Sequence, residues 1–151
     1  MVSASFLRPG IFCLPPIAEN YGLEIVEAGG LNPLLRLLQS PDRDLIGTAV
    51  TCVYRLASKP TYSPIIEAGF LQPLVKLLSF KDHERIPSKT AQLLRNLAEI
   101  PENRREIVDA GAVQSIKELV LQVSVRIQID MTKCIKYLSE SGMHSLFNRL
   151  P

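Results

Sequence analysis

IVEAGGLNPLLRLL, from Ile25 to Leu38, is the first of three versions of one phrase in a chain of 151 residues. It returns as IIEAGFLQPLVKLL between Ile65 and Leu78, and more loosely as IVDAGAVQSIKELV between Ile107 and Val120. The offsets, Ile25 to Ile65 and Ile65 to Ile107, are 40 and 42 residues. A period of that size belongs to stacked repeats in which each unit is a small group of helices. One such unit cannot cover its own apolar face, so neighbouring units bury a continuous core between them.

Each copy reads as two helices meeting at a glycine. Leu23, Ile25, Val26 and Ala28 have helical spacing, and Gly29 then offers the left-handed conformation that stops a helix. Gly69 and Gly111 stand at the same place. A phosphate-cradling loop would need several clustered glycines and a following lysine, which none of the three has. A second helix starts at once, with Pro33 and Pro73 in its first turn, where a missing N–H costs nothing. Ser115 replaces the proline in the third copy, which predicts a weaker start. Leu31, Leu34, Leu35, Leu37 and Leu38 form an apolar stripe too wide for a surface helix.

A third, longer helix follows in every unit. Asp42 is placed to cap one that runs inward through Leu45, Ala49, Cys52, Val53 and Leu56. Its counterpart ends in the stretch Thr90 to Ala98, with Pro87 in the first turns expected to shorten it. The third spans roughly Arg126 to Ser139. Val123 to Asp130 alternates apolar and polar residues, which read alone says strand. The repeat register says helix, because a lone strand in a helical stack would have no ladder partner. Lys59-Pro60 and Ile100-Pro101 separate the units, and Ser63-Pro64 reads as an N-cap followed by the first helical residue. The expected fold is all-α: a right-handed α-solenoid of about three repeats over 17–59, 60–100 and 101–139. A non-repeat segment, 1–16, precedes them, and an irregular tail, 140–151, follows.

Composition narrows the function. Seventeen basic against fifteen acidic residues give a net charge of +2, far from that of a dedicated nucleic-acid binder. Cys13, Cys52 and Cys134 are odd in number and form no CxxC pair, so neither a disulfide framework nor a zinc site is expected, and reduced cytosol is the simplest compartment. No apolar run is long enough to span a membrane. The mildly apolar start MVSASFLRPGIFCLPP is broken by Arg8, Pro9 and Gly10 too early for a secretory core. Val2 excludes N-myristoylation of the chain as written. His83-Glu84-Arg85-Ile86 begins like a zincin helix, but Pro87 stands where the second ligand must be. His144 has no identifiable partner, and Cys52 and Cys134 fall on the inward side of their helices as small core residues. With no nucleophile, base and oxyanion donor to assemble, no enzyme, cofactor or metal is expected.

The G-x-x-P-L-[LV]-x-L-L helix, followed by a long helix ending like Leu94-Arg-Asn-Leu-Ala98, resembles the armadillo repeat, and the resemblance covers Ile17 to Leu138. Tyr21 to Val26, Leu34 to Ser40, Ser63 to Leu71 and Glu106 to Gln114 are most similar to vacuolar members of that family in fungi. The resemblance implies that the long helices line a concave face on which aligned residues form rungs. Arg55, Asn96 and Tyr137 share one rung; Thr51, Gln92 and Lys133 the next; Thr48, Lys89 and Asp130 a third. Many armadillo proteins grip a peptide backbone there through asparagine amides. Here only Asn96 is of that type, and the chain has no tryptophan, which disfavours the importin-like capture of basic peptides.

Arg55, Lys89 and Lys133, set against Asp130, instead favour acidic or mixed-charge partner segments. The implied function is a protein–protein scaffold on the cytosolic face of the vacuole membrane, serving vacuole inheritance, nucleus–vacuole junctions and autophagy-related targeting. Its partners would be proteins, met through extended or helical segments, with no nucleic acid and no direct membrane insertion. The alternatives are a truncated armadillo fragment without independent activity, or a nuclear-transport or signalling adaptor. Three repeats without polar caps further predict self-association through apolar faces open at both ends.

Overall fold

A left-handed glycine closes the first helix of every repeat. Gly29, Gly69 and Gly111 have φ of 84°, 85° and 83°. Nothing lies within 4 Å of the place where a Cβ would sit on any of them, so conformation rather than crowding requires glycine there. Around these turns the computed structural model, which describes residues 19–80, 84–120 and 123–140, is helical.

The first repeat consists of α1 (Glu19–Glu27), α2 (Leu31–Leu38) and α3 (Arg43–Leu56). The second holds α4 (Lys59–Glu67), α5 (Leu71–Leu77) and α6 (Arg85–Glu99). In the third, a 3-10 turn (Pro101–Asn103) leads into α7 (Arg104–Asp109), α8 (Ala112–Leu119) and α9 (Val125–Glu140). There is no strand among the described residues. Like elements pack on like: α1 on α4, α5 on α8, and α6 between α3 and α9. The core runs through all three layers as one cluster, and Phe70, Leu74, Leu93, Leu94, Leu97, Ile107 and Met131 within it are wholly or almost wholly buried. This is an α-solenoid.

The alternating stretch Val123 to Asp130 enters α9 as the repeat register requires. Ile127, Met131, Cys134 and Leu138 are buried at helical spacing, whereas Val125 and Ile129 point to solvent. Those two exposed side chains alone create the strand-like pattern. Pro33 and Pro73 are each the third residue of their helices. Asp42 caps α3, its Oδ1 accepting from the backbone N–H of Asp44 at 2.9 Å and of Leu45 at 3.4 Å.

Several local expectations need correction. Ser63 does not start a helix, because α4 begins four residues earlier behind Ser58. The Ser58 N–H donates to Thr61 Oγ1 at 2.8 Å, and the buried Thr61 hydroxyl donates to the Leu56 carbonyl at 2.7 Å. Pro64 therefore lies inside α4; the carbonyl it cannot bond belongs to Pro60, an exposed residue that water can satisfy. Pro87 does not shorten α6, which has 15 residues against 14 in α3. As the third residue of its helix it gives up an N–H that has no intrahelical partner. The third copy does not start weakly either. Having an N–H, Ser115 donates to the Gly111 carbonyl at 3.3 Å, and α8 begins one position earlier than its counterparts. Cys52 is only half-buried, while Cys134 is fully buried.

The ends of the stack differ from each other. Ile25, Leu37 and Leu45 are 40%, 37% and 44% exposed, whereas their aligned partners Ile65, Leu77 and Ile86 are 0%, 3% and 2% exposed. A preceding layer shields those positions in the second repeat, so Leu45 is not a core residue here. At the other end, the positions that face the next layer are Gly47, Val50 and Tyr54 in α3 and Ser88, Ala91 and Arg95 in α6. In α9 they become Ile129, Thr132 and Lys136, all exposed. Among the described residues, the first layer thus carries an apolar outer face, while polar Thr132 and Lys136 flank Ile129 on the last. The segments 1–16 and 141–151 lie outside the described residues.

Candidate partner-binding groove

The long helices stand side by side, so residues 41 apart occupy neighbouring rungs. Hydroxyls on the first helix turn inward to their own backbone: Thr48 Oγ1 donates to the Asp44 carbonyl at 2.9 Å and Thr51 Oγ1 to that of Gly47 at 2.7 Å. Arg55 ends this helix exposed and makes no ion pair among the described residues. Beside it, Lys89 of α6 lies 4.5 Å from the centre of the Tyr54 ring of α3 and donates to Gln92 Oε1 at 3.1 Å. Gln92 itself is buried.

Lys89 also reports the local field. Its ammonium is held below the usual lysine range, first by partial burial and then by the positive charges of Arg126, Arg55 and Arg85, with Asp130 opposing. Asp130 is no free groove acid: it is 6% exposed, and Arg95 Nη1 approaches its Oδ1 at 2.6 Å. The same guanidinium donates through Nε and Nη2 to Asn96 Oδ1, at 3.2 and 2.9 Å. Asn96 thus has its carbonyl end fixed, and its Nδ2 has no partner among the described residues. Around Lys89 the charge left uncompensated is cationic.

Tyr137 is positioned from below. The 3-10 turn before α7 brings two side chains to the open C-terminus of α6, where carbonyls lack helical partners. Asn103 Nδ2 donates to the Leu97 carbonyl at 3.2 Å, and Arg104 Nε to that of Ala98 at 2.9 Å. The buried Arg104 guanidinium, favoured by the negative helix end, lies 5.6 Å from the centre of the Tyr137 ring. Tyr137, Lys133, Arg95, Asn96 and Glu99 line a hollow of about 250 Å³.

Arg95, which joins two of the proposed rung residues, Asn96 and Asp130, was missed in the sequence because it sits one place off the rung. Its signal was the Tyr54, Arg95, Lys136 register that faces the following layer. Burial pushes the Cys134 thiol up to about 12 against the opposing Arg95 charge, which leaves it a poor nucleophile. Among the described residues, no group of three or more His, Cys, Asp or Glu could hold a metal ion. No helix of these residues is long and apolar enough to cross a membrane. His83, His144 and Cys13 fall outside them.

The armadillo/beta-catenin-like repeat family matches residues 23–58. The chain is 48% identical to vacuolar protein 8 of Yarrowia lipolytica over 123 residues, 80% of this chain and 22% of that protein. With vacuolar protein 8 of Saccharomyces cerevisiae the identity is 40% over 129 residues, 84% of this chain and 22% of the relative. The chain therefore spans about a fifth of the length of these relatives. Among solved structures, an engineered protein superposes on 82% of the chain, and 51% of its own, with a TM-score of 0.75 at 25% identity. A designed armadillo repeat protein in complex with the peptide (KR)4 does so over 82% of the chain and 57% of its own, with a TM-score of 0.71 at 25% identity.

Proposed function

The chain belongs to the armadillo-repeat family, and from that premise we propose that it is a non-catalytic scaffold that captures acidic or mixed-charge segments of other proteins along the α3–α6–α9 face. Its similarity to vacuolar protein 8 supports a place on the cytosolic side of the vacuole membrane, in vacuole inheritance, nucleus–vacuole contact and autophagy-related targeting. One observation carries the binding mode: Arg55, Lys89 and Lys133 line the groove, Asp130 is neutralised by Arg95, and Glu99 at the Tyr137 end is the acid that remains. A preformed face of this kind binds an extended segment through several shallow contacts, with little ordering cost on the solenoid side. The designed relative was solved with a basic peptide; this groove has the opposite charge preference.

Fluorescence anisotropy with a labelled Asp/Glu-rich extended peptide and with (KR)4 tests the reading. The acidic peptide binds and (KR)4 does not. Arg55→Glu weakens the acidic peptide about tenfold or more, the worth of a charge-assisted contact replaced by a repulsion. The melting temperature stays put, because Arg55 is exposed. Equal affinity of the two peptides, or unchanged binding by the variant, rejects the groove.

The apolar first layer favours a second association. Among the described residues Ile25, Leu37 and Leu45 are exposed together on the first layer, whereas the last layer carries Ile129 flanked by polar Thr132 and Lys136. A head-to-tail contact would set leucine against lysine, so two copies meet first layer to first layer, in a two-fold contact that closes at the dimer. Light scattering of the full chain gives a dimer that Leu45→Glu converts to monomer. A monomer at high concentration, or a Leu45→Glu dimer, contradicts this.

A further inference from the structure

The cations of the groove are not spread evenly along it. Lys89 lies at a meeting point of three helices, with Arg55 from the end of α3, Arg85 one turn before it on α6, and Arg126 from the first turn of α9. Arg55, Arg85 and Arg126 are exposed, and none forms an ion pair among the described residues. The Tyr54 ring beneath Lys89 and the Gln92 amide beside it hold the ammonium in place at 4.5 and 3.1 Å. The one neighbouring acid, Asp130, is bound to Arg95. Four positive charges around one point repel one another, and a single carboxylate leaves most of that repulsion in place.

We infer that this point is a phosphate site: it takes a phosphoserine or phosphothreonine carried on an extended partner segment, so that phosphorylation of the partner governs its capture. The inference rests on the groove reading above and assigns the chemistry of one position within it. A phosphate carries close to two charges at neutral pH and presents three strong acceptor oxygens. Arg55 from α3 and Arg126 from α9 can donate to those oxygens, while Lys89 between their helices supplies a point charge. Asn96, about two turns further along α6, has Nδ2 available for the segment's backbone. Half-burial of Lys89 between helices favours a side chain on a thin extended segment over the headgroups of a flat bilayer.

Three peptides identical but for one central residue, serine, phosphoserine or glutamate, are titrated against the full chain. The phosphopeptide is expected to bind more than tenfold tighter than the serine peptide and about fivefold tighter than the glutamate peptide, in line with the doubled charge. Arg126→Gln and Arg85→Gln, on different helices, each remove the advantage over glutamate while the glutamate peptide still binds. Circular dichroism melts of both variants match the parent. A phosphopeptide no tighter than the glutamate peptide overturns the phosphate site and leaves the acidic groove standing, whereas failure of all three peptides overturns both. A preference that survives in both variants places the phosphate elsewhere and also overturns the assignment. Binding to phosphoinositide-containing vesicles without any phosphopeptide preference does the same in favour of a membrane surface.

Discussion

Replacing Leu94 with alanine is expected to lower stability by about 3 kcal/mol, with a range of roughly 2–5. Leu94 is 0% exposed, on the helix that packs between α3 and α9. The loss has two parts, the transfer free energy of the removed methyl groups and the cavity left where close-packed neighbours relax only in part. In a stack, stability is a sum of layer terms and interface terms. A defect in the middle layer weakens the contacts on both sides of it. For a chain of this size the melting temperature should fall by about 10 °C, read by circular dichroism at 222 nm. The Arg55→Glu chain, altered at an exposed position, should melt close to the parent. A Leu94→Ala chain that melts within 2 °C or so of the parent would show that α6 is not the centre of the core.

Arg95→Ala should be the most damaging change among the polar residues, at about 2 kcal/mol, below the 3–5 of a wholly buried pair because water reaches the arginine. Its side chain is 27% exposed and that of Asp130 only 9%. The two partners are therefore not equivalent. Without Arg95, Asp130 is left buried and unpaired; without Asp130, the guanidinium can turn toward solvent. Asp130→Ala should accordingly cost less than Arg95→Ala, and the double variant should be more stable than Arg95→Ala alone, because it removes the stranded charge. Urea melts of the three variants form the cycle that isolates the coupling. Equal costs for the two single changes would mean that Asp130 reaches water in the absence of its partner. Arg95→Ala should also loosen Asn96, whose Oδ1 takes two of its hydrogen bonds from that guanidinium.

The helices themselves were legible residue by residue. A glycine that needs positive φ, a proline that can only sit in a first turn, and leucines at helical spacing act within a few residues of one another, so a sequence displays them directly. The misread starts of α4 and α8 were local too, but they depended on which of several permissible bonds formed. Thr61 could cap from Ser58, and Ser115 could use an N–H that proline lacks, and both did. Val123 to Asp130 shows the limit from the other side. Its alternation was real, and only the three-layer packing that buries Ile127 and exposes Val125 and Ile129 makes it helical.

The groove was half visible. Register alone placed Arg55, Asn96 and Tyr137 on one rung, since a repeat of fixed length brings equivalent positions together. Which charges remain available was beyond it. That Asp130 is buried against Arg95, that Arg104 reaches from the next unit to the end of α6 and to Tyr137, and that Lys89 lies among three arginines depends on side chains from different layers. The same holds for the two ends, where aligned leucines and isoleucines differ in exposure only through what lies beside them. The amino-acid order by itself thus determined the helices, their period and the solenoid, because those follow from short-range conformation and apolar spacing. The tertiary structure alone decided which charges along the long helices are paired and how the first and last described layers differ, because pairing and burial are properties of neighbours brought together across some 40 residues of chain.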